Sequence, residues 1–209
     1  MHAWYDDWLL WLLVAVIVCL LTVLIAIYVW LRLTSARRRT QAILRNTADR
    51  LLRNVVLPDG VGGHIGVDVL LLRDNRLYVL AMLHADGAIF GGDKMDQWTI
   101  MGRHRRLNFR NPLHLMQDRI LALRALVPEL TLVPRIVFTG HGHFPKGHPE
   151  GVELLEEFAA PLRRPKKFKA LALDPKLEEI WTRLRETAGV PPGGEVPELS
   201  ARLPDATET

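Results

Sequence analysis

Residues 67–98, VDVLLLRDNRLYVLAMLHADGAIFGGDKMDQW, read as two strands joined by a turn, then a glycine-rich corner, then a third strand. Val67–Leu72 is an apolar run interrupted by one acid, Asp68. Asp74 and Asn75 supply the turn, because their short polar side chains tolerate tight backbone angles. Leu77–Leu83 is the second apolar run, and Gly87, Gly91 and Gly92 break the pattern beyond it. A carboxylate inside an apolar strand is costly to bury, so Asp68 needs a partner, a metal or an exposed edge.

The chain has 209 residues, room for one ordinary domain and something more. The addition is Trp8–Leu31, a continuous apolar run broken only by Thr22 and Tyr28. As a helix it rises roughly 36 Å at 1.5 Å per residue, enough to cross a bilayer with some tilt. Trp4, Tyr5, Trp8 and Trp11 crowd one end, and Tyr28 and Trp30 the other, as interfacial aromatic belts would. A cleaved signal peptide fits poorly, since Asp6 and Asp7 stand where positive charge belongs and the run is too long. The expected span is 8–33. Arg32, Arg37, Arg38 and Arg39 follow it, so the positive-inside rule places the N-terminus outside and the remaining chain in the cytoplasm, with the lipid bilayer as a partner. The single cysteine, Cys19, excludes an intramolecular disulfide.

Outward from the opening stretch, residues 35–54 have helical spacing, with Ile43, Leu44, Thr47, Leu51 and Leu52 as the apolar stripe. Residues 55–66 read as a loop, on account of Pro58, Gly60, Gly62 and Gly63. Thr99–Phe109 reads as extended. Asn111–Pro112 opens a helix with an N-cap and a first-turn proline, its stripe being Leu113, Met116, Ile120, Leu123 and Val127. Thr131–Phe138 reads as a strand that Pro134 pushes toward an edge or a bulge. A short strand at 152–155 and a helix from Asp174–Pro175 follow, the latter with Leu177, Ile180, Trp181 and Leu184 on one face. The pattern predicts an α/β domain over 36–188, and a disordered tail over 189–209, which has few apolar residues to pack.

These residues carry a family resemblance over about 41–160. Asp68 in the first strand, D-G-A-I-F-G-G at Asp86–Gly92, Trp98, the Asn111–Pro112 helix start and R-I-V-F-T at Arg135–Thr139 together resemble the nuclease-related domain (NERD) family of the PD-(D/E)XK nuclease superfamily. The resemblance implies a mixed sheet with flanking helices. It also implies a catalytic site in which acids on two neighbouring strands hold Mg²⁺ and a lysine two residues after the second acid assists the attacking water. Counting back from Gly87, the second-acid position is Ala81 and the lysine position Leu83, both apolar. A further upstream glutamate of the family aligns with Gln41. Asp68 alone is kept as catalytic and metal residue, and one carboxylate cannot shape a hydrolytic site.

No other residue substitutes directly for the second acid and the lysine. Asp86 has the wrong strand parity relative to Ala81. Lys94, Asp93 and Asp96 read as solvated loop polarity. His141, His143 and His148 lie in GHGHFPKGH, a glycine-rich loop without the acid or cysteine that would complete a zinc set. Two basic segments offer nucleic-acid contacts: Arg103, Arg105, Arg106 and Arg110, and a second with Arg163, Arg164, Lys166, Lys167 and Lys169 around Phe168. Serines occur only at 35 and 200, so no serine triad can be built. The expectation is a single-pass protein of a bacterial inner membrane whose nuclease-like domain has lost hydrolysis. It would need no cofactor and act as a nucleic-acid-binding or scaffold module with a protein partner. The alternative is an active Mg²⁺-dependent nuclease with relocated ligands.

Overall fold

The computed structural model describes residues 3–58, 62–103, 105–164 and 173–189. The chain divides into two compact units, residues 1–41 and 42–209. Helix α1 (Ala3–Thr47) makes up the first unit and contributes its last turns to the second. Within α1, Trp11–Trp30 is long and apolar enough to cross a membrane, with a mean hydropathy of 3.2 and none of its residues buried. The Thr22 hydroxyl donates to the Cys19 carbonyl at 2.8 Å, so this interruption hides its polarity on its own helix.

The second unit is built on a mixed five-stranded sheet. Its strands are β1 (Arg50–Pro58), β2 (His64–Arg73), β3 (Arg76–His84), β7 (Thr131–Thr139) and β8 (Val152–Leu154), adjacent in that order. β1, β2 and β3 form an antiparallel meander, while β7 and β8 run parallel to β3. The β2–β3 connection is a two-residue turn in which Asp74 and Asn75 take φ of 49° and 61°. Positive φ at both central residues matches the twist of the flanking strands. A smaller antiparallel sheet holds β4 (Ala88–Phe90), β5 (Gln97–Met101) and β6 (Arg106–Arg110).

Both faces of the large sheet are covered, as a predominantly apolar central strand such as β2 requires. One face packs under α2 (Pro112–Leu126), α4 (Pro175–Thr187) and the inner row of the small sheet. The other meets Leu44 of α1 with Leu155 and Phe158 of α3 (Leu155–Ala159). Trp98 is the largest fully buried side chain among the described residues. It stacks on Phe138 at 6.3 Å, lies edge-on to Phe109, and donates its indole N–H to the Gly92 carbonyl at 3.2 Å. A Cβ on Gly91 would stand 2.1 Å from the Trp98 ring, so that corner admits only glycine.

Several expectations need correction. The helix expected over 35–54 stops at Thr47, and residues 50–58 form β1. Beyond Thr47, Val55 and Leu57 bury alternate side chains against β2, and that pairing outweighs the helical spacing of Leu51 and Leu52. The loop expected over 55–66 is therefore largely strand. The extended segment 99–109 is most of a hairpin, β5–β6, and the short helix α3 was not foreseen. Pro134 sits in β7, an interior strand, opposite Val79. Ile136, of the same parity, donates its N–H away from β3 to Gly151, so the N–H that Pro134 lacks would point to the side where β8 has not yet begun. The tail expected over 189–209 lies outside the described residues, save Gly189, which exchanges two backbone hydrogen bonds with Val56 of β1.

Candidate functional site

Asp68 lies on the face of β2 that packs under α2, and it is 4% exposed. The backbone ladder lapses on both sides of it. Pairing with β1 skips from Val69 to Val67, where Asn54 turns to φ 50°, and pairing with β3 begins only at Val69. The carboxylate fills the gap, with Oδ2 accepting the Met82 N–H at 2.8 Å. Arg119 of α2 comes down on the same oxygen, its Nη1 at 3.7 Å. Arg119 is itself 8% exposed, so the two charges form a buried pair between sheet and helix.

Ala81 and Leu83 share this face, as the two-residue strand period requires, and both belong to the core, 1% and 2% exposed. These residues do not fit a magnesium ion. A hard cation wants several oxygen ligands and room for water. Asp68 offers one carboxylate, flanked by methyl and isobutyl groups and approached by an N–H and a guanidinium, both positive where the cation would stand. Asp93, Lys94 and Asp96 lie in the exposed turn before β5 and are not brought to it.

A second polar group forms where the parallel strands β3 and β7 end. Asp86 accepts the His141 backbone N–H on Oδ1 at 3.0 Å, with the His141 ring Nδ1 at 3.3 Å from the same oxygen. His84 Nε2 lies 3.1 Å from Oδ2, and its Nδ1 faces the Thr139 hydroxyl at 3.4 Å. Gly140, at φ 92°, makes the return tight: a Cβ there would lie 2.7 Å from the Ala85 carbonyl. His143 uses its backbone to hold β4, and His148 rests on Phe144, so the three loop histidines do not converge. Among the described residues no group of three histidine, cysteine or acidic side chains is placed to hold a metal ion.

The Asp86 carboxyl is held below its ordinary range, chiefly by the His141 backbone N–H, with the neighbouring imidazoles adding to this and burial opposing it. A folded-state pKa below the unfolded one gives stability that is present above the unfolded value and lost as pH falls through the folded value. The stability gap between wild type and Asp86→Ala is therefore expected to be widest near neutral pH and to close on acidification below about pH 4. Urea unfolding at a series of pH values measures it, and a gap that widens toward acid would refute this account.

The basic candidates divide sharply. Arg163 pairs with Glu156 and Arg164 with Asp49, so both serve the domain itself. Lys166 and Lys167 lie outside the described residues. Arg103, Arg105, Arg106 and Arg110 are all exposed on the β5–β6 hairpin, and no carboxylate of the described residues lies within ion-pair range of them. Arg50, Arg73, Arg135 and Arg183, by contrast, each pair with an acid.

Two residues here were not singled out from the sequence. Arg119 carried a signal: it falls between Met116 and Leu123 at helical spacing, a charge on the apolar stripe of α2. His84 carried none, since its link to Asp86 depends on how the strand ends.

Comparison with known proteins gives one match. The family model described as nuclease-related domain covers residues 33–139, from the end of α1 through β7. No curated protein and no solved structure matches the chain.

Proposed function

Because the chain belongs to the nuclease-related domain family, of the PD-(D/E)XK-like type, we propose that it is a membrane-anchored member that holds nucleic acid without cutting it. One observation carries the loss of hydrolysis: the only acid of the family's metal site, Asp68, is spent on Arg119 and the Met82 N–H, above a floor of Ala81 and Leu83. Binding is supported by the hairpin arginines, which have no acid beside them among the described residues and complement a phosphate backbone. Trp11–Trp30 is the anchor, and the arginines after it favour a cytoplasmic domain under a bacterial inner membrane.

The test incubates the full chain, held in nanodiscs, with single- and double-stranded DNA and RNA and Mg²⁺ or Mn²⁺. Expected are intact strands, and saturable binding that weakens steeply with salt. Cleavage lost in a folded Asp68→Asn protein would overturn the reading. Cleavage that survives there but disappears in Asp86→Asn would move catalysis to the histidine cluster. Neither cleavage nor binding would leave a protein-scaffold role.

A further inference from the structure

The small sheet has two unlike faces. Ile89, Ile100 and Leu107 align across β4, β5 and β6, Trp98 aligns with Phe109, and this row faces the core. The opposite row aligns Ala88, Met101 and Arg106, then Phe90, Thr99 and Asn108, then Gln97 and Arg110. That outer row contains no acid. Its chemistry is graded: Phe90, half-buried, and Met101, 48% exposed, are the large apolar groups, while Arg106 and Arg110 stand along β6.

The centre is also pre-arranged. The Asn108 amide oxygen accepts the Thr99 hydroxyl at 2.8 Å and the Arg106 Nε–H at 3.2 Å. With that oxygen engaged, Asn108 offers its NH₂ and Arg106 its terminal nitrogens as outward donors. A face with an aromatic ring, a thioether, fixed donors and arginines with no acid beside them among the described residues is not matched to phosphate alone. Duplexes hide the faces of their bases and would set charge against Phe90 and Met101. A single strand offers unstacked bases to the ring and phosphates to the arginines.

We infer that the outer face of β4–β5–β6 is a binding platform for single-stranded nucleic acid, with a base stacked on Phe90 and the strand's phosphates held by Arg106 and Arg110. This rests on the nucleic-acid reading given above and names the strand form that it takes.

The probes are fluorescent oligothymidine and oligouridine strands and a duplex of equal length, titrated by anisotropy into the full chain in zwitterionic nanodiscs. Wild type should bind single strands at least tenfold more tightly than the duplex at one salt concentration. Phe90→Leu, which keeps an apolar side chain, should weaken single-strand binding about tenfold and leave duplex binding unchanged. The pair Arg106→Gln and Arg110→Gln should weaken both and flatten the single-strand salt slope by about 1.4. Should Phe90→Leu fail to fold, photocrosslinking of 5-iodouracil strands to wild type should mark β4–β6. Duplex affinity equal to or above single-strand affinity, or a crosslink elsewhere, overturns the platform while the wider reading stands. Binding to anionic vesicles with none to either strand form overturns both.

Discussion

Asp68→Ala is expected to lower the unfolding free energy of the domain by about 3–5 kcal/mol, although it removes only one small side chain. The loss comes from what stays behind. Arg119 would keep its charge under α2, and the Met82 N–H would lose its acceptor at the point where the ladder has already lapsed. Replacing both members, Asp68→Leu with Arg119→Met, should recover most of the loss, because apolar groups of similar size suit this face. Urea unfolding of the wild type, Asp68→Leu, Arg119→Met and the pair in a double-mutant cycle measures the coupling. A protein made more stable by Asp68→Ala alone would mean that the carboxylate is held under strain for chemistry, and the magnesium reading would return.

Asn111→Asp should be nearly as damaging, at about 3 kcal/mol, for a change of one atom. Asn111 is 1% exposed and works in two directions. Its Oδ1 caps α2 by accepting the Leu113 N–H at 3.0 Å, which aspartate would still do. Its Nδ2 reaches the carbonyls of Met95 at 2.8 Å, Asp93 at 3.3 Å and Gly92 at 3.4 Å, binding the turn before β5 to the helix. Aspartate would aim an anionic oxygen at three carbonyl oxygens in a site closed to water. The control is Asp174, the exposed N-cap of α4, whose Oδ1 accepts the Lys176 N–H at 3.0 Å. Asp174→Asn should change stability by only a few tenths of a kcal/mol, since the two residues cap about equally well. Equal effects at the two caps would show that the Asn111 amide contributes nothing.

Most of the architecture was legible wherever one signal dominated. The two-residue turn at Asp74–Asn75 and the Asn111 and Asp174 caps follow from local chemistry that tertiary structure did not oppose. β1 was not legible, because Leu51, Leu52 and Val55 satisfy helical spacing and strand alternation alike, and only pairing with β2 decides between them. That positions 81 and 83 are apolar could be counted from Gly87. The partner of Asp68 could not, because Arg119 reaches it through a helix–sheet packing that no local pattern encodes. The four hairpin arginines looked like any basic run. That they gather on one hairpin with no acid beside them, where Arg50, Arg73, Arg135 and Arg183 each have one, emerges only from the folded chain.

The parallel pairing of β3 with β7 also bears on how the domain assembles. β1, β2 and β3 meet their neighbours in sequence order, so this meander can close as soon as it leaves the ribosome. Its last strand then presents an open backbone edge until β4–β6 and α2 have been made and β7 arrives, and Asp68 waits the same interval for Arg119. Until then that apolar edge is open to pairing with the edges of other nascent chains. The slow step and the hazard of mispairing thus fall on the same strand, the one that carries Ala81 and Leu83 into the core.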